Sequence, residues 1–154
     1  MDHPRPGFKY VNAKELDDSG QKFSGVAVED ADGAKLGEVE GFVMDVEQRR
    51  PRHVVVAAGW FIHKHFLLPI GHVSLNGDGT KLVADIRKER VERFPGFDKG
   101  EFETLGPVDL ASLDVALAVA CASDRTLADA RTHYDVPAWW QDDFYRVPAG
   151  DRRR

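Results

Sequence analysis

The side chains best placed to do chemistry in this chain are three histidines, His63, His65 and His72. In an extended segment His63 and His65 share one face, because side chains alternate along a strand. His72 follows a short apolar run later. Three converging imidazoles could hold zinc or copper. No cysteine or carboxylate is interleaved at ligand spacing, however, and the pattern is no closed metal motif. Exposed histidines flanking a turn account for it, and we assign no metal and no cofactor.

Neighbouring carboxylates recur at Asp17 and Asp18, at Glu29, Asp30 and Asp32, and at Asp142 and Asp143. Acid–base catalysis needs carboxyl groups in a pocket whose surroundings push their pKa values apart. Neighbours on a turn are solvated alike, so a turn-forming role suffices for Asp30 and Asp32. There is no Gly-x-Ser-x-Gly nucleophile elbow and no glycine-rich phosphate loop. Asn76-Gly-Asp-Gly79 is too short and too hairpin-like to be one. The single cysteine, Cys121, lies in the apolar run Val115–Ala122 and reads as packing. No reaction is indicated, and the chain is read as a non-enzyme.

Two groups of cations could form a basic face if the fold joined them: Arg49, Arg50 and Arg52, and Lys88 with Arg87, Arg90 and Arg93. They alternate with Glu47, Glu89 and Glu92, which suits a solvated mixed surface. A net charge of −5 also argues against an autonomous nucleic-acid binder. The aromatic residues carry more. Trp139 and Trp140 are adjacent, so on a helix at most one faces a core squarely. Trp60 and Phe61 sit just past Gly59. Surface aromatics are the usual anchors of protein interfaces, and Trp60, Phe61, Trp139 and Trp140 form the candidate partner interface. The competing expectation is that the C-terminal segment folds back and buries Trp140 and Phe144, leaving Trp139 and Trp60 more open.

These residues are positioned by a mainly β chain. Residues 1–22 are rich in charge, proline and glycine and read as a flexible or loosely docked lead-in. Strand signals begin at Phe23, with Val26 and Val28 alternating with smaller or polar residues. Asp30–Gly33 is a turn signal. Leu36, Val39, Phe42, Val43 and Val46 continue the strand pattern, and Gly37 and Gly41 mark a bulge or bend of the kind small barrels need. His53–Val56 and Phe66–Pro69 are further strands, with Pro69 expected at an edge or strand end. His72–Leu75, Asn76–Gly79 and Lys81–Ala84 form a hairpin. Arg87–Arg93 reads as one or two exposed helical turns stopped by Pro95-Gly96, with Phe94 and Phe97 folding back onto the barrel mouth as a plug. Beyond Pro107 the period changes to helical, with Asp109 and Ser123 as candidate caps. The divisions are therefore a lead-in over 1–22, a β domain over 23–106, and a helical extension with a basic tail over 107–154.

The glycine-punctuated opening Asp32-Gly33 to Leu36-Gly-Glu-Val-Glu-Gly-Phe-Val-Met-Asp45, with Phe66-Leu-Leu-Pro-Ile-Gly-His-Val73, resembles the PRC-barrel. The resemblance spans residues 24–105 and is nearest to the branch named after the photosynthetic reaction-centre H subunit. It implies a small six-stranded β-barrel with a non-catalytic role in assembly. A second branch, the C-terminal domain of a ribosome-maturation factor, implies contacts on the small ribosomal subunit. The chain departs from both. It has no N-terminal membrane helix like that of the H subunit, and residues 1–23 are too few for the maturation factor's first domain. No catalytic or ligand-binding residue transfers, so the resemblance implies a stand-alone soluble member.

At 154 residues, 42% hydrophobic and 31% charged, the chain can bury a core without metal or disulfide. No apolar run approaches the roughly 20 residues of a membrane span, and the first residues do not read as a signal peptide. A cytoplasmic protein is expected. The preferred reading is a binding or scaffold module that engages a protein partner or forms a homo-oligomer. The alternatives are a ribosome-associated or RNA-processing assembly factor, and a weak metal or small-ligand binder using the three histidines.

Overall fold

The computed structural model describes residues 8–19, 21–45, 48–59, 64–98, 116 and 137–140. Among these residues there are seven strands: β1 (Phe8–Asn12), β2 (Ala27–Glu29), β3 (Lys35–Asp45), β4 (Arg50–Ala57), β5 (His65–Pro69), β6 (Val73–Leu75) and β7 (Lys81–Ala84). A 3-10 segment at Ala13–Ser19 follows β1, another at Ile70–His72 joins β5 to β6, and the one-turn helix α1 spans Lys88–Val91.

The spatial order is β5-β4-β3-β2-β7-β6, with β1 attached to β3 off this path. β3 is the spine. Along one edge it pairs antiparallel with β4, from Glu38 opposite Ala57 to Asp45 opposite Arg50. Its other edge is divided: β2 pairs with its start, at Glu38, Gly37 and Lys35, and β1 with its end, from Gly41 to Asp45. A strand serving two partners in succession must bend, and the ladder with β4 slips between Val39 and Gly41. The glycines expected to mark such a bend sit at its tightest approaches. A Cβ on Gly41 would lie 2.5 Å from the Val11 carbonyl oxygen. One on Gly37, at φ +152°, would lie 2.3 Å from the Ala57 carbonyl oxygen.

The fold class is mainly β, as expected, with two differences. Among the described residues there are seven strands rather than six, and no ladder joins β5 to β6, so strand pairing alone does not close the sheet there. The added strand is β1. It lies in the stretch read as a lead-in, yet Val11, Ala13 and Leu16 are buried. Each buried Val or Leu contributes about 1.5–3 kcal/mol relative to exposure, which fixes residues 8–19 to the sheet. Arg52 of β4 adds a cation–π contact, 5.0 Å from the centroid of the Phe8 ring.

The β6–β7 hairpin forms where its turn residues place it. Asn76 Oδ1 accepts the backbone N–H groups of Thr80 and Lys81 at 2.8 and 3.1 Å, and Gly79 takes φ +72°. β7 then runs parallel to β2. Pro69 ends β5, an outer strand of the sheet order. The chain after α1 folds back, as expected. Val91, Phe94 and Phe97 are buried, Phe94 stands edge-on to Phe66 at 6.0 Å, and the Phe97 N–H donates to the His65 carbonyl at 3.0 Å. This segment therefore covers part of the outer edge of β5. The helices expected from Asp109 and Ser123 lie outside the described residues, apart from Ala116, which is helical.

Candidate interaction site

Four aromatic rings meet beside the β6 end of the sheet. Phe42 comes from the centre of β3, and Phe23 from the turn that leads into β2. That turn is built by Asp17: its Oδ1 accepts the N–H groups of Phe23 and Ser24 at 2.8 and 3.1 Å, and its Oδ2 accepts the Ser24 hydroxyl. Burial alone would raise the Asp17 pKa, but the Ser24 hydroxyl and these backbone amides hold it below the ordinary aspartate value. Phe23 is thus fixed edge-on against Phe42, with centroids 5.2 Å apart.

Trp140 lies over this pair, 6.5 Å from Phe23 and 6.1 Å from Phe42, and is 6% exposed. A turn presents it, closed by the Trp140 N–H donating to the Pro137 carbonyl at 3.1 Å. Trp139 is half-buried, 6.1 Å from Phe23. Its indole Nε1–H donates to the Val73 carbonyl of β6 at 3.0 Å. The two tryptophans divide the work, one packing and one bonding to the backbone of a terminal strand. Trp60 and Phe61 fall in the connection between β4 and β5 and lie outside the described residues.

The other singled-out groups are placed as follows. Asp30, 3% exposed, closes the β2–β3 turn: its Oδ1 accepts the N–H groups of Asp32 and Ala34 at 2.9 and 2.8 Å. Its Oδ2 accepts the Lys88 N–H at 3.0 Å. Burial acts to raise its pKa, but hydrogen bonds from the Lys88, Ala34, Asp32 and Gly33 backbone outweigh it and hold the pKa low. Three backbone amides donating to one carboxylate make a structural clamp rather than a proton donor. His65 is half-buried in β5. His72 Nδ1 meets Asp85 Oδ1 at 2.6 Å, a partner that chain distance conceals. His63 lies outside the described residues, among which no group of three metal-ligating side chains gathers.

The structure does not join the two basic groups. Arg49 and Arg50 lie at the β3–β4 turn, beside the Asp45 end of β3. α1 is tied through Asp30 to the turn at the Lys35 end. The length of β3 separates them. One residue passed over in the sequence is His53, an imidazole 2% exposed in β4. Burial, then the Arg52 charge, push its pKa down to about 3, so it stays neutral at physiological pH. Its only sequence signal was a polar residue heading a valine run.

Comparison with known families matches the central part of the chain. Residues 17–91 fit the PRC-barrel domain, covering the Asp17 turn, β2 through β7 and α1. β1 and the two tryptophans lie outside the matched span. No curated protein matches the chain.

Proposed function

We propose that the chain is a non-enzymatic protein-binding or scaffold module of the PRC-barrel type, a stand-alone relative of the reaction-centre H-subunit branch, working in the cytoplasm. It assembles with a protein partner or with a second copy of itself. The match over residues 17–91 supports a small, non-catalytic β module. The observation that carries the reading is the use made of the buried carboxylate: Asp30 is spent on backbone amides of the chain itself. The half-buried Trp139, with Trp60 and Phe61 on the β4–β5 connection, supplies the interface. The separation of the two basic groups weighs against an RNA-directed role.

The test is affinity capture of the tagged protein from its native lysate, with and without nuclease, read by mass spectrometry. The expected result is a nuclease-resistant partner, or the untagged protein itself, lost on Trp139→Ala. Nuclease-sensitive recovery of ribosomal proteins would replace this reading with a ribosome-associated one.

A further inference from the structure

Pro137–Trp140 meets the sheet as a ligand meets a receptor. One anchor is apolar: Trp140, 6% exposed, fills the face made by Phe23 and Phe42. The other is directional: the Trp139 Nε1–H reaches the Val73 carbonyl at 3.0 Å. A buried aromatic beside one oriented hydrogen bond is the usual composition of a peptide-binding hot spot. Among the described residues the receptor groups belong to the β domain, and the ligand groups to four consecutive residues remote from it in the chain.

We infer that the Phe23–Phe42–Val73 surface is a docking site that accepts Pro137–Trp140 from a second copy of the chain as well as from its own, and that reciprocal exchange closes a two-fold dimer. The inference rests on the self-assembly arm of the proposed function. None of the anchoring contacts depends on which chain supplies the segment, so exchange preserves each of them, as in domain swapping generally. A second copy is also the molecule that carries this segment. In dilute solution covalent linkage favours self-docking, because that event is intramolecular and independent of protein concentration. Exchange therefore grows with protein concentration.

The experiment titrates a labelled synthetic peptide of residues 135–144 into the full-length wild type and into full-length Trp139→Ala/Trp140→Ala, which keeps the receptor and removes the ligand. The peptide is expected to bind the variant roughly 100-fold more tightly, because no tethered competitor fills the site. Equal affinity for the two proteins, or no binding to a folded variant, overturns the site. If the double variant does not fold, Trp139→Phe keeps a ring and deletes the N–H. It should bind the peptide about 5-fold more tightly than the wild type, and equal binding again overturns the site. Sedimentation velocity supplies the second readout. A wild-type dimer that grows with concentration and vanishes in the variant supports exchange. A dimer that persists in the variant overturns exchange and leaves the scaffold reading standing on another surface. A wild type that stays monomeric while the variant binds peptide limits the site to its own chain and overturns exchange.

Discussion

Asp30 Oδ2 and the backbone nitrogen of Lys88 stand 3.0 Å apart across 58 residues of chain. That bond joins the β2–β3 turn to the first turn of α1, where helical N–H groups have no partner within the helix. Asp30→Ala leaves three amides without their acceptor, and bonds to a charged group count for more than neutral ones. A loss of about 2–4 kcal/mol is expected in urea unfolding. Asp30→Asn, which retains one acceptor oxygen, should lose less. Equal stability of Asp30→Ala and wild type would remove the clamp.

The Asp30 and Asp17 carboxylates also set an acid limit. Both have folded pKa values below the ordinary 3.8. Their contribution is therefore complete above the unfolded value and is lost as pH falls through the depressed folded one. The wild type should lose stability below about pH 4 more steeply than Asp30→Asn. Parallel curves would contradict this.

His53 acts at higher pH. The unfolded chain takes up its proton near 6.5, whereas the folded chain resists until about 3. Acid thus favours unfolding across that window, and the contribution is present above 6.5 and drains as pH falls. The expected loss between pH 6.5 and 4 is at most about 3 kcal/mol. His53→Val should flatten this slope whatever it does to absolute stability, a comparison that chemical denaturation at stepped pH makes directly.

Gly41 is a steric requirement. A methyl group there would press on the Val11 carbonyl and the Tyr10 ring. Gly41→Ala should cost at least about 1–3 kcal/mol, the usual cost of overpacking. The effect should appear first as faster hydrogen exchange at the β1 amides from Tyr10 to Asn12. Unchanged protection of β1 would show that the strand gives way without detaching.

Local chemistry was legible where the partners were close in sequence. Asn76–Gly79 announced its hairpin, and Gly37 and Gly41 announced the bend in β3. Asp30 was recognisable as a turn residue because two of its acceptor bonds reach only to Asp32 and Ala34. Its bond to Lys88 was invisible, since nothing in the sequence of α1 specifies a carboxylate from a distant turn. β1 was missed for a related reason. Phe8-Lys-Tyr-Val-Asn12 buries only Val11 fully, too little to stand out among charges, and its pairing depends on the free half of the β3 edge. The burial of Trp140 was one of two competing expectations for that residue, and the bond from Trp139 to Val73 needed both segments in space.

The parallel β2–β7 ladder has a kinetic consequence. Gln21 Nε2, just ahead of β2, donates to the Gly79 carbonyl across 58 residues, and Ala27 pairs with Lys81. The β3–β4 and β6–β7 hairpins can form locally, but this ladder must gather both before any of its own bonds exist. Contacts of such high contact order are slow to form, because loop closure precedes their reward. Gln21→Ala, which removes the bond to Gly79 and leaves both hairpin ladders intact, should therefore speed unfolding and leave the refolding rate nearly unchanged, with the transition state already holding the hairpins and not yet the seam between them.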